Sequence, residues 1–238
     1  MKPTYYLMLL ALLITSCAPI KKLGSPQNFI PSIGTIGKEQ KSLLNRNFEQ
    51  IGKPNIKEGI GLSVREKQFT KSKFKSYFNY KVGKGEKLKI AYSDSLKMKP
   101  KYMHLEISNK IALQSQLNEA HNDEVRSYLA HDEKIQIVSE ISFISNSVIR
   151  EKILKADALF LSESANGTLV MKILKANNST LVNFANLEVF DYRLSGFCWK
   201  KNGYGKTRIE TLNGNGNCPE GMEKNPKKLE DTKSYIKL

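Results

Sequence analysis

With 238 residues, 38 Lys and Arg against 23 acidic residues and a formal net charge of +15, the chain is strongly basic and long enough for one sizeable core or two small ones. Only six of the cations are Arg, at positions 46, 65, 126, 150, 193 and 208, and the lysine excess is spread rather than patterned. Bases and phosphates are read chiefly by guanidinium groups, so this balance argues against nucleic acid. It leaves anionic lipid headgroups, acidic envelope polymers or plain solvation as uses for the charge.

In chain order, Lys2 precedes the apolar run from Leu7 to Ile14, and the small residues Thr15 and Ser16 lead into Cys17. Charged, apolar and small segments in that order make an export signal. The run is far short of the ~20 residues needed to span a hydrocarbon core, and no second long apolar stretch follows. Residues 1–16 are therefore expected to be removed. Ile14-Thr15-Ser16-Cys17 resembles the lipobox of bacterial lipoproteins, a resemblance confined to about the first tenth of the chain. It implies cleavage between Ser16 and Cys17, a diacylglycerol on the Cys17 thiol and a further acyl chain on its freed amine. At ~0.8 kcal/mol per buried methylene, several chains together hold a protein firmly on a bilayer. Ala18 stands where enteric inner-membrane lipoproteins carry Asp, and no acidic run follows. The resemblance thus implies the outer membrane of a Gram-negative bacterium, with the folded part facing the periplasm.

Residues 17–58 are punctuated by Pro19, Pro26, Pro31 and Pro54 and by Gly24, Gly34, Gly37 and Gly52, and read as a flexible tether. A coil of that length has an end-to-end distance of ~35 Å. Leu43, Leu44 and Phe48 suggest one short helix around residues 41–50. The folded domain is expected over residues 59–221, with 222–238 a frayed Lys-rich tail. Its fold class is α+β: a mostly antiparallel sheet with two or three short helices on one side.

Within that domain Leu88–Tyr92 and Tyr102–Ile107 alternate as strands, with Met103, Leu105 and Ile107 on one face and His104 and Glu106 on the other. Asn122 caps a short helix through Leu129. Ile135, Ile137, Ile141 and Phe143 mark a long strand, Asn146 caps a helix through Asp157, and Ala158–Leu161 resumes a strand. That order permits a crossover to a parallel neighbour. Apolar runs at 169–174 and 181–190 around Asn177-Asn178 predict a hairpin, and the strand continues through Trp199 into a Gly- and Asn-rich loop at 213–217.

Cys198 and Cys218 are the remaining cysteines. An even pair in an oxidising compartment predicts a disulfide that would constrain that loop, and the spacing lacks the paired clusters of a zinc site. No Gly-x-Ser-x-Gly elbow is present, and Ser162 and Ser164 stand in no catalytic motif. Gly205-Lys206-Thr207 lacks the upstream glycine of a phosphate loop, because Lys200 stands in its place. His121 and His131 lie ten residues apart, ~280° around a helix, and so face away from each other. No metal, cofactor or catalytic set is expected. Tyr192, Trp199, Lys200, Lys201, Tyr204, Lys206 and Arg208 form the candidate binding surface, since aromatic faces beside cations take sugars, acidic polymers or a protein partner. The same alternation also fits a hairpin with core aromatics and solvent-facing cations. The expected function is a lipid-anchored envelope domain that binds or scaffolds. The rival is a periplasmic hydrolase of glycan or lipid that uses loop carboxylates.

Overall fold

A computed structural model describes residues 30–41, 46–214 and 216–230. The expectations for the leader and Cys17 lie outside them, as do those for residues 18–29 and 231–238. The described residues form a ten-stranded sheet in which every ladder is antiparallel. In chain order the elements are β1 (Ile36–Lys41), β2 (Arg46–Gly52), β3 (Ile60–Gln68), α1 (Lys71–Gly83), β4 (Lys101–Ile107), α2 (Lys110–Asn118) and α3 (Asp123–His131). Then come β5 (Gln136–Ile144), α4 (Ser147–Leu154), β6 (Ala158–Glu163), β7 (Leu169–Lys175), β8 (Asn178–Asn183), β9 (Glu188–Lys201), β10 (Thr207–Asn213) and α5 (Lys227–Glu230). The sheet runs β10-β9-β5-β4-β3-β6-β7-β8, and β1 pairs with the start of β5 and carries β2.

The antiparallel sheet and the α+β class agree with the sequence, and several local expectations do not. Residues 30–41 and 46–58 belong to the fold instead of a tether: Ile33, Ile36, Phe48 and Ile56 are buried in the main core. The expected helix over 41–50 gives way to the β1–β2 hairpin. Gly37 is a packing requirement there, since a Cβ on it would lie 2.2 Å from the Glu49 carbonyl oxygen. Residues 55–58 form no strand and are held by two buried amides. Asn122 Oδ1 accepts from the Asn55 N–H at 2.8 Å while its Nδ2 donates to the Asn55 carbonyl at 2.9 Å. Gln116 Oε1 accepts from the Lys57 N–H at 2.9 Å. A backbone held this way is indifferent to hydrophobic periodicity.

The unit β5–α4–β6 forms as expected, with Asn146 Oδ1 accepting from the Ile149 N–H at 2.8 Å. No parallel crossover results, because β6 pairs antiparallel with β3 and β7. Leu88–Tyr92 is irregular chain, and Ile90 and Tyr92 pack on an aromatic cluster. The helices are not confined to one side. Phe74, Tyr77 and Tyr80 of α1 pack with Phe69, Tyr102 and Phe190. Leu113 and Leu117 of α2 and Ile153 of α4 join the core that contains Met103 and Leu105, and residues 102 and 103 of one strand point to opposite faces. Part of the expected tail is also tied in: Glu223 exchanges backbone hydrogen bonds with Trp199 at 2.7 and 2.9 Å, and Leu229 packs on the core.

Candidate binding hairpin and central polar cleft

The seven residues expected to share a binding surface do not share one: two are core and the others lie at or near the surface of the β9–β10 hairpin. Trp199 is only 2% exposed, and Tyr192 is buried with its ring 5.8 Å from that of Phe48, so both belong to the core. Lys200 and Arg208 face solvent as direct cross-strand partners, with Lys201 half-buried beside them. Tyr204 is 97% exposed at the tip. The turn that presents it is internally bonded: Asn202 Oδ1 accepts from the N–H groups of Tyr204 and Lys206 at 3.0 and 2.9 Å, and Gly205 takes φ of +77°. Only glycine adopts that left-handed backbone without steric cost. Arg208 is partly neutralised by Glu210 at 2.7 Å. What remains is a lone aromatic ring on a cationic tip.

Below the tip, Cys198 and Cys218 are joined by a disulfide with Cα atoms 5.6 Å apart. Cys198, Trp199 and Ile209 are buried, so the hairpin rests on a cross-linked base.

A second polar assembly lies on the central strands. Register places His104 of β4 opposite Ser142 of β5, and Glu140 and Ser142 opposite Arg193 and Asp191 of β9. Lys73 of α1 reaches over this row to form an ion pair with Asp191, and its Nζ lies 3.5 Å from Ser142 Oγ. The cleft they enclose has a volume of about 220 Å³. His104 is 8% exposed, with Nε2 3.4 Å from Glu140 Oε2. Burial and the nearby Lys67 push its pKa down against the pull of Glu140, so the ring is neutral at neutral pH. Alternation in β4 placed His104 opposite Met103 and Leu105, but nothing local pointed to Asp191 or Lys73 as its neighbours. His121 and His131 are exposed, and His131 Nδ1 lies 2.6 Å from the Ser127 carbonyl oxygen.

A concavity of about 920 Å³ lies where Ile30, Tyr80, Lys84 and Phe184 converge. Near it, Lys81 is fully buried and ion-paired to Glu188 at 2.5 Å and Glu86 at 2.6 Å. Burial opposes its charge, and the two hydrogen bonds outweigh that cost and raise its pKa. Among the described residues no cluster of His, Cys, Asp and Glu is arranged to hold a metal ion, and no helix is long and apolar enough to cross a membrane. No family model, curated protein or solved structure matches the chain.

Proposed function

We propose that this is a lipid-anchored envelope protein, held at the outer membrane through Cys17 and facing the periplasm, whose folded domain binds an anionic envelope polymer through the β9–β10 tip. The observation that carries the binding half is Tyr204, almost wholly exposed between Lys200, Lys206 and Arg208. An aromatic face beside cations suits a sugar ring carrying phosphate or carboxylate groups. The leader order ending in Cys17 supports the anchor, and the pairing of Cys198 with Cys218 leaves Cys17 as the thiol for acylation. Twelve residues, 18–29, lie between Cys17 and Ile30. Their reach is at most about 45 Å when fully extended.

Hydrolysis is less well supported. Glu66, Glu86, Asp132 and Glu151 are held below the ordinary carboxylate range by hydrogen bonds from Lys101, Lys81, Lys38 and Lys155 respectively. A general acid needs the opposite shift.

The test pairs labelling with binding. Cys17→Ala abolishes incorporation of radiolabelled palmitate and releases the protein from membranes, and retained labelling refutes the anchor. Tyr204→Ala combined with Lys206→Glu and Arg208→Glu lowers co-sedimentation with lipopolysaccharide vesicles by about tenfold at low salt, where exposed charges act most strongly. Unchanged co-sedimentation removes the tip from the proposal.

A further inference from the structure

The strand at the far end of the sheet from this tip has a different character. β8 reads Asn-Ser-Thr-Leu-Val-Asn and pairs with β7 alone, in unbroken register from Lys175↔Asn178 to Val170↔Asn183. It carries no charge, no proline and no bulge, which are the devices that normally keep a sheet edge from accepting another strand. Among the described residues nothing pairs with its outer backbone edge. The opposite edge strand, β10, is closed. Asn118 Oδ1 accepts from the Ile209 N–H at 3.0 Å, Asn118 Nδ2 donates to the Ile209 carbonyl at 2.7 Å, and the β9–β10 register shifts between Ile209 and Thr211.

Beside β8, on one face, a groove of about 470 Å³ runs between the strand and α4. Its floor includes Ile173 and Thr180, its wall is Val148, which is 61% exposed, and its rim carries Lys152, Lys155 and Lys175. Lys155 is paired with Glu151, whereas Lys152 and Lys175 have no ion pair among the described residues. On the other face Leu181 is 54% exposed and sits opposite Lys172.

We propose that the β8 edge and the α4 groove form a docking site for an extended acidic segment of another protein, which joins the sheet as a further strand. The bare edge supplies backbone donors and acceptors to any extended chain, and alternate side chains of that chain meet the groove and solvent in turn. Apolar residues of the segment enter between Val148 and Thr180, and acidic ones meet Lys152 and Lys175. The local lysines and the net charge of +15 select against a second copy of this chain, which would bring its own lysine-rimmed edge. Neither Cys17 nor the Tyr204 tip takes part, so failure here leaves the anchor and the tip untouched.

The test uses the full chain in detergent and three synthetic octapeptides: alternating Glu-Val, alternating Lys-Val, and Glu-Val with every backbone amide N-methylated. The Glu-Val peptide binds at least about tenfold tighter than the other two, and slows hydrogen exchange at the β8 amides. Lys152→Glu with Lys175→Glu, both at the surface, reverses the preference between Glu-Val and Lys-Val. Three results overturn the proposal: no Glu-Val binding up to about 1 mM, equal binding of the N-methylated peptide, or a dimer of the chain alone whose β8 amides gain protection with concentration.

Discussion

At the β10 end of the sheet, the backbone of Ile209 is taken by Asn118, Trp199 is bridged to Glu223, and Cys198 is cross-linked to Cys218. At the β8 end, six uncharged residues present an edge that meets no partner among the described residues. The strands on either side of the centre use the same antiparallel pairing, so the difference lies in what each end adds to the ladder. One end spends side chains on closure and carries an exposed charged tip on a fixed base. The other leaves its backbone available. Stability and accessibility are thus assigned to opposite ends of one sheet, and substitutions at the two ends should differ in cost.

The largest cost is expected at Trp199. Its side chain fills the core beneath the β9–β10 tip, and Trp199→Ala should lower the unfolding free energy by about 3–5 kcal/mol. Denaturant unfolding measures this, and a loss well under that range would mean the closed end is not where the stability resides. Next is the disulfide, which closes a loop with a sequence separation of 20. Replacing both cysteines, Cys198→Ser with Cys218→Ser, should cost about 3 kcal/mol through the freed unfolded chain. Wild type under reductant should match the double variant.

A smaller effect is expected from Asn118→Ala. It leaves the buried Ile209 without the side-chain acceptor for its N–H and removes a donor to its carbonyl. A buried group stripped of its partner costs about 1–3 kcal/mol. The same substitution opens the β10 edge, so hydrogen exchange at Ile209 should accelerate toward that of β8. Persistent protection at Ile209 would show that the backbone is shielded by something other than Asn118.

How much of this contrast was legible in the sequence depended on whether the cause was local. Asn146 before Val148 announced α4, and the alternation through Ile137, Ile141 and Phe143 announced β5, because cap and period are read within a few residues. α1 escaped even though Thr70 caps it, since one of its buried positions is Lys81, which is tolerated there by Glu188 from a distant strand. Residues 30–41 and 46–58 escaped because Gly37 and Pro54 look like linker punctuation, whereas one marks a close backbone approach and the other is buried. At the candidate surface, parity alone separates Trp199 and Ile209 from Lys200 and Arg208, so the cations were legible as solvent-facing. The β8 edge was not legible as an edge, because strand order is a property of the whole sheet.

The smallest effect is expected at Leu181. Its side chain is about half exposed and faces solvent beside Lys172, so little apolar area returns to water when it is shortened. Leu181→Ala should therefore change the unfolding free energy by no more than about 0.5 kcal/mol. Comparable costs at Leu181 and Trp199 would abolish the contrast between the ends. A negligible cost at Leu181, with weakened Glu-Val binding in the same variant, would sharpen it. The side chain would then contribute little to the free protein and more once a strand lies alongside, as expected of an edge whose packing is completed only by a partner.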